Sequence, residues 1–254
     1  MKIILLLVGF LLFPFELFCC TTFSFSNHKG EVVFGRNFDF PVGMGHIAIN
    51  NKNVYKTAFI RPPEKAISWT STYGSITFNQ CGKEFPYGGM NEAGLVIEQM
   101  WLQEAAYPEA DKRFGLSELQ WIQYQLDNSA TVEQVVNSDS LVRISYTAIA
   151  PLHFLIADAS GNVATIEYIE GKMIVHQGKN LPYQVLANCT YQNSLSYKRN
   201  IELGSGDLAA TAVGSIGTGS LVGIPLDVNV EFESTQGKTD FHSVVISKNG
   251  EVNS

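Results

Sequence analysis

Two adjacent cysteines, Cys19 and Cys20, stand where an apolar run gives way to the strand-like alternation "CTTFSF". Their chemistry depends on which of them begins a mature chain. An amino-terminal cysteine carries its own base, because a free α-amine with a reference pKa of about 7.7 to 8.0 accepts the proton of a thiol whose pKa is about 8.5. One residue then supplies both nucleophile and general base. Further along, "GRNFDF" places Arg36 and Asp39 within one short segment. An Arg beside a thiol favours the thiolate and lowers its pKa, and an Asp holds an α-ammonium through a charge-assisted hydrogen bond. Two plainer readings stay open: Cys20 as a small apolar residue, and Arg36 with Asp39 as a surface ion pair.

What precedes the cysteines favours the chemical reading. "MKIILLLVGFLLFP" has one Lys near its start, an apolar run from Ile3 to Phe13 and a helix-breaking Pro14. That is the layout of a secretory signal peptide, and the run falls short of the roughly 20 residues a transmembrane helix needs. A cut before Cys19 would put bulky Phe18 in the small-residue position, whereas a cut before Cys20 puts Cys19 there. Residues 1–19 are therefore expected to be a signal peptide, and the mature chain a secreted or periplasmic protein starting at Cys20. A lipoprotein diacylated at Cys20 is the competing reading, with Phe18 a poor fit to its signal.

Composition narrows the classes. Residues 20–254 fit one domain, since a single core can serve about 250 residues. Net charge is −7 with no long run of Lys or Arg, so no nucleic-acid partner is expected. No repeat, heptad pattern or linker divides the chain. The mature cysteines are Cys20, Cys81 and Cys189. In an oxidising compartment a Cys81–Cys189 disulfide would leave Cys20 as the odd thiol, though three separate thiols satisfy the same count. His28, His46, His153, His176 and His242 show no metal-ligand spacing, and no metal is expected.

The elements that must position Cys20, Arg36 and Asp39 read mostly as strands. "TTFSFSN" and "EVVFGRNFDF" flank a turn at Asn27 to Gly30 and predict a hairpin. Arg36 and Asp39 are three apart, on opposite faces of an ideal strand, so a bend near Pro41 is needed to turn both toward the chain start. "SWTSTYGSITFN" and "GLVIEQMWL" are further strands, the latter after a "MNEAG" turn. Ser117 with Gln120, and Thr131 with Gln134, have capping-box spacing ahead of two helices. "LHFLIADASGNVATIEYIEGKMIVH" predicts three strands with turns at Ser160-Gly161 and Glu170-Gly171, followed by a strand at "YQVLAN" and a helix around "SLSYKRNIE". This order is layered α+β rather than a βαβ alternation.

"CTTF", "GRNFDF", "GMNEAGLVIEQM", "PLHFLIADASGNVATIEY" and "VLAN", in this order and spacing, resemble the choloylglycine hydrolase family, from Cys20 to about Gly219. That family comprises bile salt hydrolases, penicillin V acylases and related linear-amide hydrolases. The resemblance implies a four-layer αββα N-terminal nucleophile fold, no cofactor, and a small-molecule N-acyl amide substrate. It implies Cys20 as nucleophile, Arg36 beside the thiol, Asp39 as anchor of the α-amine and Asn188 as oxyanion donor. Asn91 and Gly94 of the "MNE-G" turn are implied to shape a hairpin. As a lone residue Asn188 is a turn asparagine, and with Thr190 it forms a glycosylation sequon. A homo-oligomer is left open.

Two departures from the family pattern carry expectations of their own. Where bile salt hydrolases have Asn and penicillin acylases Tyr, this chain has Trp101, a candidate substrate-binding residue with only an indole N–H to donate. The second oxyanion contact is then expected from backbone, and bile-salt specificity is not supported. No Arg follows Arg199, so the late catalytic Arg of relatives has no counterpart, and residues 220–254 read as a divergent or truncated tail. Reduced activity, or a catalytically impaired member that binds acyl-amide ligands, is the corresponding expectation.

Overall fold

The structure is a computed structural model and describes residues 20–26, 32–39, 44–80 and 82–202. The expected signal peptide, Cys81 and with it the expected Cys81–Cys189 pairing, the Asn27 to Gly30 turn, Pro41 and the 220–254 tail lie outside these residues. β1 (Thr21–Ser26) and β2 (Val32–Asn37) form the expected antiparallel hairpin, with Thr22 opposite Arg36 and Phe23 opposite Gly35. Gly35 is required there because the Phe23 ring lies over it, and a Cβ would come within 2.4 Å of that ring.

A seven-stranded sheet follows. Its members are β3 (His46–Asn50), β6 (Ser75–Asn79), β7 (Pro86–Asn91), β8 (Val96–Trp101), β11 (Leu152–Ala157), β12 (Val163–Ile169) and β13 (Lys172–Gln177). They lie in the order β13-β12-β11-β8-β7-β6-β3, and every neighbouring pair is antiparallel. Four short strands make small accessory pairs: β4 (Tyr55–Thr57) with β5 (Ser68–Thr70), and β9 (Phe114–Leu116) with β10 (Val142–Ile144). The three strands read from residues 152 to 176 are β11, β12 and β13. The turn between the last two has positive φ at both Glu170 and Gly171, the backbone twist that suits a two-residue hairpin loop.

Alternation along these strands serves two cores. One face carries Ile97, Phe154, Ile156, Ile166 and Tyr168 against Trp121, Ile122 and Leu126 of α1 (Glu118–Asn128) and Val132 and Val135 of α2 (Val132–Asn137). Trp121 stacks on Phe154 with centroids 4.1 Å apart. The opposite face carries Met100, Leu155, Ala157 and Val163 against Cys20 and Leu186. There β1 lies between β2 and β14 (Val185–Leu186) in a second, three-stranded sheet. The result is helix upon sheet upon sheet, an α+β layering of the kind expected for an N-terminal nucleophile fold. α3 (Tyr191–Glu202) leaves directly after the loop that follows β14.

Both helix starts differ in detail from a reciprocal capping box. Ser117 Oγ accepts from Leu119 N at 3.3 Å, but Gln120 accepts instead from Phe59 N at 2.7 Å, which ties α1 to the preceding chain. Thr131 Oγ1 caps Gln134 N at 3.2 Å, while Gln134 Oε1 accepts from Ala130 N, one residue before the cap.

The "MNEAG" turn does more than shape its hairpin. Buried Asn91 accepts from Ala93 N and Leu95 N, and its Nδ2 donates to Leu126 O at 2.8 Å and Ser129 O at 2.7 Å. One side chain thus closes the β7–β8 turn and satisfies carbonyls at the end of α1, where a helix leaves acceptors unpaired. Gly94, at φ +86, is packed against Ala159. Asn91→Ala is expected to cost about 2 kcal/mol, because buried groups lose their partners without replacement. Denaturant melts of wild type and variant check this, and an unchanged midpoint would refute it.

Candidate active site

Strand register delivers Arg36 to Cys20. Directly opposed residues share a face of an antiparallel pair, and so do residues two apart along a strand. Arg36 faces Thr22, two residues beyond Cys20, so the guanidinium arrives on the thiol's side and its side chain hydrogen-bonds the sulfur. It lies 4.2 Å from the centroid of the Phe38 ring, which in turn meets Tyr87 edge-on. Nη1 donates to Tyr87 O at 2.8 Å and to Glu98 Oε2 at 2.7 Å. Arg36 is therefore a half-buried residue paired with Glu98 and not half of a surface ion pair with Asp39.

Cys20 is 7% exposed and sits among Met100, Leu155, Ala157, Leu186 and Tyr191. Burial pushes its thiol above the ordinary value; Arg36 and a hydrogen bond to the Asp39 carbonyl pull the other way without prevailing. The expectation that an Arg beside the thiol lowers its pKa is thus corrected: Arg36 does pull it down, but desolvation of the anion outweighs that one cation.

Asp39 meets the site through its backbone. β2 ends at Asn37, and Phe38 and Asp39 lie beyond the strand. The Asp39 carbonyl faces Cys20 Sγ at 3.9 Å, while its carboxylate accepts from Asn37 Nδ2 at 2.9 Å.

Asn188 comes from 168 positions away and touches the backbone of Cys20. β14 pairs with β1, Leu186 opposite Thr22, so the residue after Ala187 lands at the start of β1. In the full chain Cys20 N is a peptide nitrogen, and it donates to Asn188 Oδ1 at 2.6 Å. Asn188 Nδ2 donates to Trp101 O at 2.7 Å. An amide nitrogen has two N–H donors, so the second is the one an oxyanion role would use. Trp101 thus enters the site by its carbonyl; its indole is 48% exposed and donates to Gln103 Oε1 at 3.2 Å.

Two features escaped the reading of the sequence. The first is Glu98, buried in β8 and ion-paired to Arg36, with burial pushing its carboxyl up to about 7 against the lowering effect of Arg36. Gly88, directly across from it, is an unavoidable glycine, because a Cβ there would fall on the Glu98 carboxylate. The signal was present: a Glu inside an apolar strand demands a cation, and "GG" in the next strand marks a close approach. The second is Glu167, whose Oε1 accepts from Tyr191 N at 2.8 Å and lies 3.2 Å from His153 Nδ1. Tyr191 OH also donates to Tyr183 O and accepts from Tyr183 N. These contacts fix both ends of the loop that carries Asn188.

Cys189, beside Asn188, lies with its Sγ 3.0 Å from Ser194 Oγ. Among the described residues no group of three or more His, Cys, Asp or Glu side chains is arranged to hold a metal.

The family model described as linear amide C-N hydrolases, choloylglycine hydrolase family, matches residues 20–232. The chain belongs to this family. Among its relatives, the penicillin V acylase of Pectobacterium atrosepticum is 38% identical over 138 residues, which cover 48% of this chain and 36% of that protein. The solved penicillin V acylase of Agrobacterium tumefaciens is 34% identical at a TM-score of 0.63, covering 74% of this chain and 59% of that one. A mutant conjugated bile acid hydrolase from Clostridium perfringens shares the fold at 19% identity and a TM-score of 0.59, over 72% of this chain and 57% of its own. The chain thus spans about a third of the curated relative and under three-fifths of these two solved structures.

Proposed function

We propose that this member of the choloylglycine hydrolase family is an exported cysteine amidase, freed at Cys20 by removal of residues 1–19, that hydrolyses linear, non-peptide C–N bonds of N-acyl compounds. The observation that carries the reading is the 2.6 Å contact between Asn188 Oδ1 and the nitrogen of Cys20. It sets the Asn188 side-chain amide against Cys20, the residue where the family match begins. No cofactor enters the mechanism.

The Cys20 sulfur attacks the substrate carbonyl carbon, its proton passing to the α-amine that processing exposes. The oxygen that becomes negative is held by the second N–H of Asn188 and by backbone donors. Collapse breaks the C–N bond, and the leaving amine takes the proton from the α-ammonium. Water, deprotonated by the same amine, then attacks the thioester, releasing the acid and restoring the thiol. Asp39 holds the ammonium form once the bond to Cys19 is gone, its carboxylate leaving Asn37 to do so. Arg36 supplies positive charge beside the sulfur throughout.

The similarity to two penicillin V acylases favours acylated β-lactam amines and related N-acylated amino acids or lactones as substrates, and Trp101 argues against bile-salt conjugates. The purified protein is to be incubated with penicillin V and with a glycine-conjugated bile salt, and the released amines quantified by chromatography. Release of the amine from penicillin V well above that from the conjugate is expected. Saturable binding of N-acyl amides with no amine released at stoichiometric enzyme would overturn the hydrolase reading in favour of an impaired, ligand-binding member.

A further inference from the structure

We propose that Glu98 is a positioning residue that shares the Arg36 guanidinium with Cys20, so that the charge state of Glu98 decides how much positive charge is left for the sulfur. The inference rests on the reading of Cys20 as the nucleophile. Its observations are geometric. Arg36 offers Nη1 to Glu98 Oε2 at 2.7 Å and to Tyr87 O at 2.8 Å, and the same guanidinium reaches the Cys20 thiol. Both side chains of the pair are nearly sealed, at 11% and 8% exposure. Gly88 exists to make room for the carboxylate, since any larger residue there would occupy the same volume.

One cation thus stands between two groups that each become anions on losing a proton. In a buried setting with one counter-charge, the first group to ionise takes that charge and raises the cost of ionising the second. Glu98 titrates near neutrality and the thiol lies above its ordinary value. The carboxylate is accordingly first, and the thiol ionises against it.

The other charged or titratable groups around Glu98 are few. On the hairpin they are Arg36, Cys20 and Asp39. β7 presents Gly88 opposite Glu98, with Tyr87 beside it. β11 presents Leu155 opposite Glu98, and His153, two residues along, is engaged with Glu167 of β12. Among the described residues, Arg36 is the cation that the groups of this cluster share.

A purely structural role for Glu98 makes the opposite prediction. If it merely holds Arg36 in place, removing its charge lets the guanidinium drift and the thiol becomes harder to ionise. If it competes, removing its charge releases Arg36 to the sulfur. The test is the pH dependence of Cys20 alkylation by iodoacetamide, read on the Cys20-containing peptide by mass spectrometry, in wild type, Glu98→Gln and Glu98→Met. Both variants are near the Glu side chain in shape, so one serves if the other fails to fold.

The expected result is a midpoint moved to lower pH, with about tenfold faster alkylation of Cys20 at pH 7. A midpoint unchanged or moved to higher pH in the folded variants would overturn the proposal. The assay needs no turnover. Failure of wild type to cleave any N-acyl amide would strike the proposed activity, whereas the direction of the alkylation shift alone decides the role of Glu98.

Discussion

Replacing Cys20 by Ala is expected to abolish amide hydrolysis, and replacing it by Ser to leave it barely measurable. Where the nucleophile of a hydrolytic site is removed, losses on the order of 10⁶ in kcat are the precedent. Serine keeps the shape but not the chemistry. Its hydroxyl ionises far less readily than a thiol, and Cys20 sits where burial already opposes the anion, a penalty that falls harder on an alkoxide. Folding is expected to survive, because Cys20 occupies the first position of β1's approach and the core around it is supplied by Met100, Leu155 and Leu186. Thermal melts of both variants, alongside amine release from penicillin V, separate lost chemistry from lost structure. Wild-type turnover in either variant would remove Cys20 from the mechanism.

Asn188→Ala is expected to lower kcat by about 10² to 10³, equivalent to roughly 2.7 to 4 kcal/mol, as for loss of one oxyanion donor, with KM little changed. The residue has two duties, however: its Oδ1 accepts from Cys20 N and its Nδ2 donates to Trp101 O. Asn188→Asp separates them. The carboxylate keeps an acceptor for the Cys20 nitrogen while lacking any N–H for a developing negative oxygen. A loss in Asn188→Asp as large as that in Asn188→Ala, with alkylation of Cys20 retained, assigns the effect to the donor. Recovery of activity in Asn188→Asp would show instead that Asn188 acts only by tethering the chain start.

The hairpin of β1 and β2 was legible because period-two alternation on both sides of a turn leaves little choice of register. So were β8 and the run from β11 to β13, where the apolar pattern and the glycine turns agree. Asn188 was found only through a motif resemblance; from residue type alone it is a turn asparagine, and the register of β14 on β1 that places it cannot be read from a two-residue strand. Glu98 was passed over for a related reason. Its partner Arg36 is 62 positions away, in a different sheet, so nothing local in "GLVIEQMWL" names the cation.

β6 misleads in the opposite sense. Ser75, Thr77 and Asn79 are its buried side chains, on the face that Asn91 shares with α1, while Ile76 and Phe78 lie on the face that Glu98 occupies. A simple apolar-inward rule would have turned that strand over. What holds it is hydrogen bonding: Asn50 Nδ2 donates to Thr77 Oγ1, and Asn79 Nδ2 donates to the carbonyls of Gly82 and Lys83. The thiol's ionisation was misread by counting only the neighbouring charge. Burial, which a sequence does not display, proved the larger effect.

The most direct test of the central claim is mass spectrometry of the amino-terminal peptide from the exported protein, acid-quenched during turnover of an N-acyl substrate. The account predicts a chain beginning at Cys20 with an unmodified α-amine, and a fraction of that peptide carrying the substrate's acyl group as a thioester. A chain beginning at any other residue, a lipid on Cys20, or an acyl group only on another side chain would contradict it.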